Sequence, residues 1–282
     1  MGGADACNPR EYWAKRLSND CSLGTVGLLG AGVGWNQWLY AVRRAVLLRT
    51  VRRHGIAQPG MSVLELGAGS GFYVPVWERC GACRIVGVDL TEHSVRYLKH
   101  RHPRRAFLVQ DIGVPFDLNE RFDVVTAFDV MFHILDDQSH QVALTNAARH
   151  VAPGGHLLVT DVRLRSTALA TAAHVRFRSL SAYGEIMPHV GMRLVSAVPV
   201  FVTMVSSVNP CGGIGRLTCG VTGRLCGAIL RRLTGRPKDM VGYLLGAIAY
   251  PLELMATAVS SQRPSIELLV YRRSHGSVAD AA

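Results

Sequence analysis

Three glycines in five residues, Gly67, Gly69 and Gly71, follow the apolar run Val63-Leu64-Glu65-Leu66, and Asp89 closes the next apolar run, Arg84-Ile85-Val86-Gly87-Val88. Residues of these types at this spacing can hold a nucleoside. Small residues at the end of a strand let a ligand approach the backbone, and a following helix N-terminus supplies free N–H groups. Cβ atoms at Gly67 and Gly69 would fill that space. A carboxylate at the tip of the neighbouring strand, 22 residues after Gly67, can accept both ribose hydroxyls. Phe72 stands where the dinucleotide fingerprint G-x-G-x-x-G/A wants a small residue, which argues against NAD or FAD. A second chemical group lies in Phe128-Asp129-Val130-Met131-Phe132-His133, where an imidazole falls four residues after a carboxylate. With its ordinary pKa, His133 could take the proton of a hydroxyl nucleophile. It could equally pack or donate a hydrogen bond in the wall of a pocket.

These groups need a frame, and the pattern supplies one. Short apolar runs at 62–66, 84–88, 106–110, 122–127 and 156–160 read as strands. Helices between them start near Gly71, Thr91 and Ser139, with Thr91 plus Ser94 and Asp136-Asp137 as N-terminal caps. Alternating strands and helices imply a parallel sheet with right-handed crossovers. Ligands of such sheets bind outside the carboxyl ends of the strands, which directs attention to the positions just after Leu66, Val88, Gln110, Ala127 and Thr160. A helix around 181–190, a strand at 193–205 and a last strand at 266–271 complete the reading.

Over residues 60–165 the chain resembles the class I S-adenosylmethionine (SAM) dependent methyltransferases. The resemblance rests on the glycine loop with Asp89, on Val109-Gln110-Asp111, on Phe122-Asp123-Val124-Val125, and on Val151-Ala152-Pro153-Gly154-Gly155 in that order. It implies an α/β, Rossmann-like, seven-stranded sheet whose final strand is inserted antiparallel, with an N-terminal helical cap and an insertion before the last strand. It further implies that Gly67, Ala68, Gly69 and Gly71 pass the methionine part of SAM and that Glu65 helps hold its amino group. Asp89 with Leu90 would take the ribose, Asp111-Ile112 the adenine, and Phe128 would border the cofactor. His133 falls beside the active site. Methyl transfer from a sulfonium is an in-line displacement, so alignment matters most and a base matters when the nucleophile is a hydroxyl. The expected function is methylation of a small or medium-sized metabolite at oxygen, in the manner of natural-product or sugar-modifying relatives. The alternatives are an RNA methyltransferase and a SAM-binding protein that does not methylate, such as a cyclase or regulatory subunit.

The 282 residues suffice for one catalytic domain with additions, and 49% apolar with 18% charged residues describes a folded chain. The expected organisation is a helical cap at 1–55, a SAM-binding domain at 56–273 with a substrate cap at 209–263, and a loose tail at 274–282. A formal charge of +11 favours anionic partners without choosing among nucleic acid, phosphorylated metabolites and lipid surfaces, and the arginines are scattered. No RNA-binding module accompanies them, so a small-molecule acceptor is favoured over nucleic acid. Seven cysteines and a start lacking a signal pattern point to a reducing cytoplasm, and Cys80-Gly81-Ala82-Cys83 lacks the companions of a zinc site. Trp13, Trp35, Trp38 and Tyr40 could close the cofactor site or simply dock helices. In the insertion, Val241 to Val259 is nearly uncharged; Pro251 and Glu253 interrupt it, so a covered helix pair is preferred to a membrane span, with a surface-lying contact between the two.

Overall fold

A computed structural model of the chain describes residues 8–18, 20–164, 169–206, 208–209, 219–260 and 266–274. Five strands appear where the apolar runs predict them: β1 (Ser62–Leu66), β2 (Arg84–Asp89), β3 (Ala106–Val109), β4 (Phe122–Phe128) and β5 (Val151–Leu164). They pair in parallel in the order β3-β2-β1-β4-β5. Later strands are β6 (Leu169–Ala172), β7 (Val175–Ser179), β8 (Met192–Pro199) and β9 (Ile266–Arg273). Because β9 pairs with both β5 and β8, the main sheet is seven-stranded and mixed, β3-β2-β1-β4-β5-β9-β8. Its central strands are buried on both faces, which is why they read as unbroken apolar runs.

The helices are α1 (Pro9–Leu17), α2 (Leu23–Val26), α3 (Gly32–Arg53), α4 (Val74–Arg79), α5 (Glu92–Arg101), α6 (Asp137–Arg149), α7 (Leu180–Ile186), α8 (Val221–Leu230) and α9 (Gly235–Val259). Both predicted caps form: Thr91 Oγ1 accepts the Ser94 N–H at 3.3 Å and Asp136 accepts the Ser139 N–H at 2.7 Å. The helix expected near Gly71 begins only at Val74. Gly69 and Gly71 have φ of 53° and 70°, in the left-handed region, so the turn must finish before helical dihedrals can start.

Three features depart from the pattern. β5 runs on to Leu164 and its end pairs in parallel with β7, which forms an antiparallel pair with β6; the hairpin is an addition the sequence pattern did not signal. The apolar run predicted as a strand to Val205 ends its strand at Pro199. Val200 still donates to the Ile266 carbonyl of β9 at 3.1 Å, but Val202, Thr203 and Met204 beyond it give their N–H groups to the side chain of Glu253. Finally, the Gly-Arg half of the insertion is helical over α8, while Arg216 and the tail from 275 lie outside the described residues.

The chain forms two compact units. The first holds the sheet, with described residues of Met1–Asn19, Gly55–Ala197 and Leu268–Ala282; the second holds Asp20–His54 and Val198–Glu267. The 1–55 stretch is therefore not one cap, since α1 joins the first unit and α2 with α3 the second. In the second unit α3 and α9 lie side by side with backbones nearly touching. A Cβ at Gly34 would fall 1.9 Å from the Asp239 carbonyl oxygen, and one at Gly246 would fall 2.2 Å from the Trp38 ring. Trp38 packs on Tyr243 and Tyr250 at 5.4 and 5.1 Å between ring centroids. The buried Glu253 of α9 accepts the N–H groups of Val202, Thr203 and Met204 and the Thr203 hydroxyl. The expectation that the apolar half of the insertion is covered holds for one side of α9 only. Ile248 and Val259 on its other side are 68% and 84% exposed.

Candidate active site

The glycine loop leaves β1 after Leu66 and folds back on β2, with the N–H groups of Gly67 and Ala68 both donating to the Val88 carbonyl at 2.9 and 3.0 Å. Gly67 has φ 73°, and a Cβ there would meet the Val130 side chain at 2.7 Å. Glycine is required twice at this point, for the dihedral and for the close approach. The loop is also latched from β2. Asp89 accepts the Gly69 N–H at 2.9 Å on one oxygen and the Thr91 N–H and hydroxyl at 3.0 and 3.1 Å on the other. Ser94 donates its hydroxyl to the Gly69 carbonyl at 2.7 Å. Thr91 and Ser94, read from the sequence only as helix caps, thus hold the loop as well.

Asp89 is buried and its pKa is raised by that burial, against the lowering effect of its hydrogen bonds. A carboxylate offers about four acceptor positions, of which these bonds use three. Glu65, on β1, is fully buried and its pKa is pushed up to about 8, first by desolvation and second by the charge of Asp89. Its Oε2 has no hydrogen-bond partner. A buried carboxyl held near neutrality with an oxygen to spare fits a cationic group, and the ammonium of SAM is one.

After β3, Asp111 accepts the Gly113 N–H at 2.8 Å, and Asn146 of α6 donates to the carbonyls of Ile112 and Val114 at 3.0 and 2.8 Å. Asn146 fixes the loop that carries Asp111 and the buried Ile112, a clamp with no local signal in the sequence. Phe128 ends β4, buried, its ring 4.5 Å from that of Tyr73. The next residue, Asp129, takes φ 55°, and is held there by Thr160, which accepts its N–H at 2.8 Å and donates to its carboxylate at 3.1 Å. Non-glycine residues in this region persist only where surroundings over-determine them.

His133 ends a short 3₁₀ turn, Met131–His133. Its Nδ1 lies 2.9 Å from the His174 carbonyl oxygen. A carbonyl can only accept, so Nδ1 carries the proton and Nε2 keeps the lone pair. Trp13 meets the ring edge-on at 4.8 Å, Phe132 lies at 4.5 Å, and His174 stacks at 5.7 Å while itself stacking on Tyr12 at 4.3 Å. Desolvation by this aromatic enclosure is the main reason that the His133 pKa is lowered to about 4. Arg10 of α1 donates to the Leu90 carbonyl at 3.0 Å, so α1 is tied both beyond β2 and, through Trp13, beyond β4. Of the aromatic set expected to close the site, Trp13 stands here; Trp35, Trp38 and Tyr40 belong to the second unit.

Sequence reasoning missed one more acid. Asp161, buried in β5, accepts the Tyr183 hydroxyl and the Val162 N–H, and burial raises its pKa to about 7. Its position directly after Thr160 is the signal that could have found it. Among the described residues no group of His, Cys, Asp or Glu could hold a metal, and Cys83 gives its thiol proton to the Gly60 carbonyl.

A profile described as a methyltransferase domain matches residues 38–197. The chain belongs to that family. By that match it carries a class I SAM-dependent methyltransferase domain. The ribosomal protein L11 methyltransferase of Burkholderia mallei is 30% identical over 129 residues, which are 45% of this chain and 41% of that protein. The chain thus spans about two fifths of the length of the curated relatives it matches. Among solved structures, magnesium protoporphyrin IX methyltransferase of Synechocystis PCC 6803 with bound SAM is similar at a TM-score of 0.53 and 12% identity, covering 97% of this chain and 100% of that one. The (4+2)-cyclase SpnF matches at 0.53 and 17%, covering 82% and 80%. At these identities the structural likeness is one of fold.

Proposed function

We propose that the methyltransferase binds SAM on the loop Gly67–Gly71 and methylates a small or medium-sized acceptor at an acidic hydroxyl, such as a phenol. The observation that carries the cofactor side is Glu65, whose unpartnered buried oxygen sits on the strand that leads into the glycine loop. On this reading Glu65 ionises when it meets the ammonium, Asp89 accepts a ribose hydroxyl at its remaining position, and Asp111 with Ile112 borders the adenine. Phe128 and Tyr73 wall the same side, with Ala68 and Leu90 contributing backbone. SAM supplies an electrophilic methyl group.

The acceptor side follows from His133. A ring with Nδ1 committed to a carbonyl presents Nε2 as an acceptor, able to orient a hydroxyl by taking its hydrogen bond. With a pKa of about 4 the ring is a weak base, far from the operating pH at which general-base catalysis is most effective. It would assist a hydroxyl that loses its proton readily better than an aliphatic alcohol. The aromatic side chains of Tyr12, Trp13, Phe132 and His174 suit a flat, weakly polar acceptor.

The test is S-adenosylhomocysteine formation with panels of phenols, aliphatic alcohols and amines. Turnover restricted to phenols supports the reading. Turnover restricted to amines would remove the oxygen assignment, and SAM binding without turnover on any panel would favour a non-methylating role. A macromolecular acceptor is the second reading, favoured by the 30% identity to the L11 methyltransferase and by the +11 charge. Transfer of labelled methyl to ribosomal protein L11 or to RNA would establish it.

A further inference from the structure

Among the described residues of the second unit, one face of α9 is left exposed. Along α9, Met240, Leu244, Ile248, Leu252, Met255 and Val259 recur at helical spacing, and each is more than half exposed. The opposite side, with Gly242, Gly246, Ala249, Glu253 and Thr257, is buried. Between Asp239 and Ser260 the only charged side chain is Glu253, on the buried side, so the exposed side is wholly without charge over about five turns. Helices of soluble proteins show the reverse pattern, with polar residues outward.

We propose that this face of α9 lies on a membrane surface bearing anionic lipid headgroups, whichever acceptor is methylated. The charge at its amino-terminal end decides the occupant. Described residues 219–260 contain five basic side chains, Arg224, Arg231, Arg232, Arg236 and Lys238, against two acids. Both acids are engaged internally, Asp239 with the Val33 N–H at 2.7 Å and Glu253 with the 202–204 backbone. Arg231, Arg232 and Arg236 are exposed where α8 gives way to α9. Arginines beside a long apolar face match phosphate headgroups above acyl chains. A second copy of the chain would bring no free carboxylate from this region to meet them. The helix is long and apolar enough to cross a bilayer, but α3 seals its other side, with Arg49 donating to the Thr257 carbonyl at 3.1 Å. Crossing would strip Glu253 of its hydrogen bonds inside hydrocarbon, whereas lying in the interface keeps every one of them.

The experiment is cosedimentation of the intact protein with vesicles of phosphatidylcholine alone or mixed with phosphatidylglycerol. Binding to the mixed vesicles, weakened by added salt and slight with phosphatidylcholine alone, is expected. Arg231→Glu with Arg232→Glu should lower the partition coefficient at least tenfold, since each basic group near an anionic surface contributes roughly a factor of five. Ile248→Glu with Leu252→Glu should abolish binding, and both pairs of exposed substitutions should leave the circular dichroism spectrum and SAM affinity intact. If the glutamate pair fails to fold, Leu244→Ser with Ile248→Ser serves in its place. Intact protein that stays in the supernatant with both vesicle types overturns the proposal, as does binding that neither pair of substitutions weakens. Sedimentation velocity separates the remaining rival: a dimer that the Ile248 substitution splits, with no vesicle binding, would assign the face to a second copy.

Discussion

Two glutamates lie equally deep in this molecule and behave in opposite ways. Glu253, in the helical unit, meets three backbone N–H groups and a hydroxyl. Glu65, in the sheet unit, has an oxygen with no partner and a pKa of about 8. The first neutralises the cost of burial with hydrogen bonds and thereby pins α9 to the 202–204 segment. The second leaves that cost standing, as the proposed partner of the SAM ammonium would. Burial of a charge says little by itself; the count of its partners separates a structural pin from a binding group.

The comparison is broken most forcefully at Glu253. Glu253→Ala strands two buried donors and one part-buried one, each buried donor worth roughly 1–3 kcal/mol when unsatisfied, so denaturant unfolding should show a loss of about 3–5 kcal/mol after partial rescue by water. A loss below about 1 kcal/mol would mean that the 202–204 backbone finds other partners and that Glu253 is no pin.

Asp89→Ala comes next. It removes the proposed ribose acceptor and the latch on Gly69 together, and SAM affinity measured by calorimetry should fall by roughly 2–4 kcal/mol. Unchanged affinity would mean that the cofactor is held elsewhere.

Glu65→Gln sharpens the contrast because its two effects oppose each other. A lost charged hydrogen bond costs roughly 1.5–3 kcal/mol. At pH 7 the wild type must first ionise a group of pKa about 8, which takes back about 1.4 kcal/mol, so the net loss of SAM affinity should be about 1–2 kcal/mol or less. Ionisation on binding releases a proton, so the calorimetric enthalpy of the wild type should depend on the buffer and that of the variant should not. Stability moves the other way. The folded pKa lies above the ordinary value of 4.5, so the contribution of Glu65 to stability without SAM is fully present below pH 4.5 and is lost as pH rises towards and through 8. Near pH 8 the variant should melt higher than the wild type without SAM. If it melts lower, Glu65 has partners as Glu253 does, and the contrast collapses.

His133→Ala should lower turnover by roughly 10- to 100-fold with SAM affinity near normal, at or below the low end of the range for loss of a general base. In the wild type the acid limb of the pH–rate profile should lie near pH 4, well below the usual histidine value, because protonation of Nε2 ends its service as an acceptor. An acid limb near 6.5 would show that substrate binding opens the aromatic enclosure to water.

Much of the geometry of the proposed cofactor site is legible in the sequence because its information is local. Three glycines with positive φ, an apolar strand on each side and a carboxylate at the second strand's tip lie within Ser62–Asp89, and their dihedral and burial requirements are met by near neighbours. The caps at Thr91 and Asp136 are equally plain, each being a contact across three residues. What only the tertiary structure decided depends on partners far along the chain. The tautomer and lowered pKa of His133 come from His174 and Trp13, the clamp on Asp111 and Ile112 from Asn146, and the second bond of α1 from Leu90. The same holds for α9. Its composition fits a covered helix, a span and a surface helix alike, and the choice turns on which side α3 and the 202–204 backbone occupy. A side chain's type is written in the sequence, but the field and solvent around it are set by residues that folding alone brings near.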